Sequence, residues 1–164
     1  MTDRPVRVED FGRTDVGKAR DHNEDSFVVA DLTTRNASLQ PEVRAHEVGR
    51  RGTLFMVADG MGGAAAGEVA SEMATSTVYD HMVSQWGSDQ EVTEQRFAYR
   101  HKEAVEIANQ QIHDYAAAHL DARGMGTTTT AAGVFQGALY LTQIGDSRGY
   151  LIRQIRIAQI TKDQ

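Results

Sequence analysis

Residues 54–68 read LFMVADGMGGAAAGE, an apolar run that ends on a carboxylate and passes into a glycine-rich turn. A short apolar run bounded by turn residues is typical of a buried strand. Such a strand would hold Asp59 at a fixed point on the rim of the core, and the glycines after it allow a sharp turn and a close approach. This suits a hard metal ion, which prefers carboxylate and carbonyl oxygens. An ordinary strand–turn–helix corner with an exposed Asp would look the same, so this stretch alone leaves both readings open.

Three further clusters lie beside strand-like runs. They are RDHNEDS at 20–26, GMGTTTTA at 124–131 and GDSR at 145–148. The first precedes an apolar run, the second opens another, and the third joins two more. Taken singly, each cluster fits a polar turn, because Gly, Asn, Asp and Ser are common turn formers.

Together with DGMGG at 59–63, these clusters resemble, in order, the N-terminal motifs of the metal-dependent PP2C-type (PPM) protein phosphatases, bacterial type. The resemblance runs from about Phe11 to Asp163. It implies an α+β fold with a PP2C-like layered α-β-β-α architecture. In that architecture an antiparallel β-sandwich is flanked by helices on both sides, and the metal site lies at one edge.

Composition sets broad limits on the function. The chain has 164 residues, 40% hydrophobic and 24% charged, which fits one globular domain with a real core. Without cysteine it has neither disulfides nor a thiolate metal site. The net charge of −6 argues against non-specific binding to nucleic acid or to an anionic membrane. The N-terminus does not resemble a signal peptide and no apolar run reaches membrane-spanning length, so we expect a cytoplasmic protein.

Patterning predicts strands, then two helices, then more strands, which is an α+β arrangement. We expect a long exposed connection at 32–52, and a helix from Ala64 to about Trp86 that carries apolar residues at helical spacing. Ser88 and Glu91 have capping-box spacing and could start the second helix, which would end near Leu120. Strands are predicted at 8–14, 25–31, 53–59, 127–135, 138–144, 149–153 and 155–160.

The resemblance implies a role for each of six residues. Asp59 would bridge two metal ions, and the Gly60 carbonyl would be a backbone ligand. Asp25 would join the metal centre through bound water, with the neighbouring Glu24 in the supporting shell because adjacent strand residues face opposite sides. Arg20 would bind the substrate phosphate, and Asp146 would serve a third, accessory metal ion. The implied cofactors are Mn²⁺ or Mg²⁺.

The histidines give a weaker signal. His22 lies inside the first motif and could face the site. The other five lie in the long connection or on predicted helices, without a ligand-like spacing, and we expect ordinary surface or half-buried residues: His46, His81, His101, His113 and His119.

We expect the chain to be a single, C-terminally incomplete PP2C-like domain over residues 1–164. The family's later Asp-Gly and Asp-Asn motifs, which complete one catalytic metal site, do not occur after Asp146, so the resemblance leaves open whether these 164 residues are active on their own. The resemblance implies hydrolysis of phosphoserine or phosphothreonine in phosphorylated proteins by metal-activated water, opposite a Ser/Thr kinase. Alternatives are a non-catalytic module that binds phosphoproteins or regulates a phosphatase, and a phosphatase acting on anti-sigma-factor antagonists.

Overall fold

The computed structural model describes residues 5–18, 21–38, 43–63 and 65–164, and its centre is an antiparallel sheet. The strands are β1 (Arg7–Phe11), β2 (Asp25–Asp31), β3 (Asn36–Ser38), β4 (Val43–Glu47), β5 (Thr53–Met61), β6 (Gly126–Thr127), β7 (Thr129–Phe135), β8 (Ala138–Ile144), β9 (Tyr150–Arg153) and β10 (Arg156–Gln159). The strand order in the central sheet is β3-β2-β5-β7-β8, and the short β6 pairs with the end of β5. Strands β1 and β4 form one two-stranded sheet, and β9 and β10 form another.

Side chains of the central strand β5 alternate between the two faces of the sheet. Leu54, Met56 and Ala58 are buried against the helices, as period-two alternation requires. Val57 lies on the opposite face and is 48% exposed. The strand is thus the core strand that the apolar run predicts, and it extends two residues beyond Asp59, to Met61.

Two α-helices of the described residues cover one face of the sheet. They are α1 (Ala66–His81) and α2 (Glu94–Ala118). Ala70, Ala74 and Val78 of α1 are fully buried in the core, which confirms the predicted apolar stripe. Neither helix is long and apolar enough to cross a membrane, and the same holds for every helix in the described part of the chain.

The helix boundaries differ from the prediction. Helix α1 ends at His81 and continues as a π-helical turn, Met82–Trp86. Helix α2 begins after Thr93, whose hydroxyl accepts a hydrogen bond from the Arg96 N–H at 3.2 Å, and the predicted Ser88 cap is wrong. The β-region backbone and side-chain acceptor of Thr93 make it the N-cap.

The stretch predicted as an exposed connection holds two strands. Strand β4 pairs with β1, and this ribbon packs on the sheet face opposite the helices. There the His46 ring bonds the Thr53 hydroxyl at 2.8 Å, and Gly12 lies against the Phe27 ring. The predicted α+β class is therefore confirmed, with helices on one face and a second β layer begun on the other.

An aromatic cluster fills the core between the helices and β7. The rings of Trp86, Phe97 and Phe135 pack edge-on or stacked, with centroids 4.9–5.4 Å apart. His101 stacks on Phe97, is 1% exposed, and bonds Thr142 through Nδ1 at 2.8 Å. The expectation of a surface or half-buried residue is wrong for His101, because α2 turns this position toward the sheet.

Candidate active site

Asp59 is held at the rim of the sheet by its own backbone. Its N–H donates to the Thr128 hydroxyl at 3.1 Å, and its carbonyl accepts from the Thr128 N–H at 2.9 Å and the Thr127 hydroxyl at 3.0 Å. Three hydrogen bonds from one neighbouring segment fix the direction of the peptide. The carboxylate is therefore presented from a rigid position, as the sequence predicts.

Gly60 lets strand β5 pass very close to the start of helix α1. A Cβ atom at Gly60 would lie 2.0 Å from the Gly67 carbonyl oxygen and 2.6 Å from the Glu24 carbonyl oxygen. The sharp turn itself falls on Gly62 and Gly63, which have positive φ values of 137° and 78°. Gly60 is thus required by crowding, and the two later glycines by backbone conformation.

Glu24 lies against the first turn of helix α1. A Cβ atom at Gly67 would lie 2.9 Å from both Cδ and Oε2 of Glu24, so the carboxylate reaches the helix N-terminus, where negative charge is favourable. The Gly60 N–H donates to the Glu24 carbonyl at 3.0 Å. Glu24 is therefore built into the junction of strand β2, strand β5 and the helix.

Asp25 is the direct cross-strand partner of Asp59 in the β2–β5 register. Residues directly opposite in an antiparallel pair lie on the same face of the sheet, and like charges in such a pair repel. The Asp25 N–H donates to the Asn23 side-chain oxygen at 3.1 Å, which shapes the turn before the strand. A bound cation would reduce the repulsion between these two opposed carboxylates.

Asp146 lies in a turn that is tied to the same rim. Ser147, the next residue, contacts the Thr128 hydroxyl at 2.5 Å, and its carbonyl accepts from the Thr130 hydroxyl at 3.0 Å. Arg148 forms an ion pair with Asp163, with both Arg148 Nε–carboxylate distances near 3 Å. Arg148 therefore braces the turn, and Thr128 links the turn to the Asp59 backbone.

One open cavity of about 620 Å³ gathers these groups. Three of the predicted site residues line it, Asp59, Gly60 and Asp146, and so does His22. Its remaining lining residues are Asp21, Glu24, Met61, Gly62, Gly63 and Thr128. Asp25 lines a different cavity, between β2 and helix α1, although it stands opposite Asp59 in the register. The predicted phosphate ligand Arg20 lies outside the described residues.

Apart from the His22 ring, the side-chain ligand atoms that line this cavity are mostly carboxylate and hydroxyl oxygens, which fit a hard divalent cation. In the described ranges, however, no three Asp, Glu, His or Cys side chains come close enough together to hold a metal ion. The described residues thus supply part of a metal centre. The roles of Asp25, Asp59, Gly60 and Asp146 as ligands stay predictions.

Two lining residues were not singled out for this site from the sequence. Asp21 belongs to the first motif, and its acidity is the only signal it carries. Thr128 lies in a run of four threonines that reads as strand, where β-branched residues are common. Its contacts to Asp59 and Ser147 join segments far apart in the chain, and no local pattern reports such a contact.

Comparison with known proteins agrees with the family resemblance seen in the sequence. The protein phosphatase 2C family model matches residues 34–161. The serine/threonine phosphatase Stp of Listeria welshimeri is 38% identical over 153 residues, which are 92% of this chain and 52% of that protein. This chain therefore spans about half the length of this curated relative.

Solved structures agree with the sequence relatives. The Mycobacterium tuberculosis serine/threonine phosphatase PstP/Ppp superposes with a TM-score of 0.66 at 34% identity, covering 96% of this chain and 54% of that one. The catalytic domain of PstP in complex with two manganese ions superposes with a TM-score of 0.69 at 34% identity, covering 96% and 57%. Because the family model matches most of this chain, the chain belongs to the protein phosphatase 2C family.

Proposed function

We propose that this chain is part of a metal-dependent protein phosphatase that hydrolyses phosphoserine or phosphothreonine, with Mn²⁺ or Mg²⁺ as cofactor. The observation that carries the proposal is the grouping of Asp59, Glu24 and Asp146 around one open cavity in a chain of this family. The two manganese ions in the PstP structure support the choice of cofactor.

The charges around the cavity support a requirement for cations. Four carboxylates line it, from Asp21, Glu24, Asp59 and Asp146. A phosphate monoester dianion entering this cavity would be repelled unless cations offset these charges. Bound divalent ions would neutralise the phosphoryl oxygens and supply an activated water as nucleophile.

Each of the predicted site residues has a definite role in this proposal. The carboxylate of Asp59 and the carbonyl of Gly60 hold the cations, and the hydrogen bonds from Thr127 and Thr128 keep Asp59 in place without reorganisation during the reaction. Asp25, opposite Asp59, and Asp146 in its braced turn add negative charge for further ions. Arg20 binds the substrate phosphate with its planar guanidinium.

The substrates would be phosphorylated proteins, and a Ser/Thr kinase would be the opposing enzyme. The cytoplasmic location stays a prediction.

The direct test is hydrolysis of a phosphothreonine peptide by this chain with and without Mn²⁺. We expect Mn²⁺-dependent release of phosphate, lowered at least about a hundredfold by Asp59→Asn, because a cation ligand contributes several kcal/mol to the transition state. Arg20→Ala should raise KM more than it lowers kcat if Arg20 binds the phosphate of the bound substrate.

Two variants control for unspecific effects of lost charge. Asp121→Asn removes an exposed carboxylate and Lys18→Ala an exposed cation, and both residues lie outside the cavity lining. Hydrolysis that persists in Asp59→Asn at the level of the controls would contradict the proposal.

A second candidate function is a non-catalytic module that binds phosphoproteins. The observation favouring it is that the described side chains do not bring three metal-ligating groups together. Phosphopeptide binding by folded protein that releases no phosphate would favour this candidate over the first.

A further inference from the structure

A second cavity, which we call the apolar groove, adjoins the candidate active site. It has a volume of about 650 Å³ and lies between the C-terminal half of helix α2, the segment before β6 and the end of β8. Its floor is made by core residues that are at most 7% exposed, Val105, Ile112 and Met125. Ala116 and Ala117 form the helical wall and Ile144 part of the opposite one.

Met61 connects the groove with the active-site cavity. It lines both cavities and is 61% exposed, although it is a large apolar residue. It pairs with Gly126 at the end of the β5–β6 ribbon, which forms the partition between the two cavities. An unbranched, polarisable side chain at such a point can adapt to different ligand shapes.

The distance from Asp59 to Met61, where the two cavities meet, corresponds to a short stretch of peptide. Asp59 and Met61 are two positions apart on one strand, so roughly 7 Å separates them. An extended peptide covers this distance in two residues. A peptide whose phosphorylated side chain enters the cavity beside Asp59 would therefore bring a side chain two or three residues away to the groove.

The charge around the two cavities differs sharply. Four carboxylates line the active-site cavity, whereas none is among the described residues that line the groove. The only charged or titratable groups of the groove lining are Arg123 and His113, both at the exposed edge. The groove can therefore accept an apolar side chain, and its lining has no carboxylate that would repel a negatively charged phosphopeptide.

We propose that the apolar groove binds an apolar side chain of the phosphoprotein substrate, two or three residues from the phosphorylated Ser or Thr. This inference rests on the proposed phosphatase function, which supplies the phosphorylated residue at Asp59. The groove then selects substrates by sequence around the phosphate, and Met61 and Ala117 are specificity-determining residues.

The test measures equilibrium binding to this chain in the presence of Mn²⁺. The probes are labelled Ser/Gly peptides with a central phosphonate analogue of phosphothreonine, which resists hydrolysis, and with one Leu placed two or three residues before or after it. A peptide without Leu is the reference. We expect at least one Leu position to bind about five- to tenfold tighter, since most of a Leu side chain would be buried.

Neighbouring alanines on helix α2 supply a matched pair of variants. Ala117→Glu places a carboxylate in the groove wall and should abolish the preference for Leu. Ala118→Glu, one residue further along and outside the groove lining, should keep it. Equal binding of all peptides, no binding at all, or a preference that survives Ala117→Glu would overturn the proposal.

Hydrolysis of p-nitrophenyl phosphate, which has no peptide to fill the groove, separates this inference from the proposed function. Mn²⁺-dependent hydrolysis without a Leu preference would refute the groove alone. A Leu preference without any hydrolysis would support the groove and refute the catalytic function of this chain.

Discussion

At the scale of single residues, Gly60 shows how closely the site depends on packing of backbone against backbone. We expect Gly60→Ala to destabilise the protein by at least about 3 kcal/mol, because the new Cβ would meet the carbonyl groups of Gly67 and Glu24, which no side-chain rotation can move aside. Gly63→Ala is the contrasting variant. Its φ is 78° and no atom lies within 4 Å of the added Cβ, so only conformational strain of roughly 1 kcal/mol applies. Urea unfolding midpoints measure both, and equal losses would contradict the crowding explanation.

At the scale of elements, the N-terminal part of helix α2 is joined to the preceding loop by Asp89. Its carboxylate accepts hydrogen bonds from Arg96 and Arg100, each through two nitrogens at 2.8–3.1 Å, and these bonds hold the pKa of Asp89 well below its usual range. Asp89→Asn should cost roughly 2 kcal/mol at pH 7, since charge-assisted bonds to a mostly buried carboxylate are lost. Glu106→Gln, which breaks the exposed pair with Lys102, should cost under about 0.5 kcal/mol. Thermal unfolding of the two variants checks the contrast, and similar losses would mean that Asp89 acts as an ordinary surface charge.

The same elements show what local sequence can predict. Strands β2, β5, β7 and β8 and the stripe on α1 follow from apolar runs and periodicity, which are local signals. Strand β4 was missed because its partner β1 lies far away in the chain and only two of its five residues, Val43 and Ala45, are apolar. The cap of α2 was misplaced because Ser88 and Thr93 are both good cap residues, and the extended backbone and hydrogen bond that identify Thr93 as the cap are set by the folded chain.

The candidate site likewise has some residues that local sequence indicates and others that only the folded structure reveals. Asp59 could be found because the apolar run of a buried strand ends on it, and Asp146 because its turn carries a recognisable motif. Glu24 reaches the cavity wall only because Gly60 and Gly67 bring β5 and α1 together, and Thr128 because it bridges two distant segments. These contacts are set by tertiary packing, so their residue types alone could not report them.

At the scale of the whole molecule, the buried His101 makes stability depend on pH. Burial lowers its pKa from 6.5 to about 4, because the charged ring would lose its water among Phe97, Gly133 and Thr142. The folded state therefore binds fewer protons than the unfolded chain between these values, and the free energy of unfolding falls as the pH drops from about 6.5 to 4. The loss from this one residue is about 3 kcal/mol.

The prediction is tested with His101→Gln, whose amide can still reach Thr142 but does not titrate. We expect a lower free energy of unfolding at pH 7 but a flatter decline toward pH 4, by about 3 kcal/mol over the range. His113→Gln, at a side chain that is 78% exposed, should leave the decline unchanged.

Below pH 4 both proteins should lose stability together, because the pKa values of Asp89 and Glu103 are lowered by their arginine partners, that of Glu103 to about 2, and protonation removes those ion pairs. Urea titrations at several pH values measure these slopes, and a parallel decline of wild type and His101→Gln between pH 6.5 and 4 would show that the acid sensitivity of the fold comes from groups other than the buried histidine.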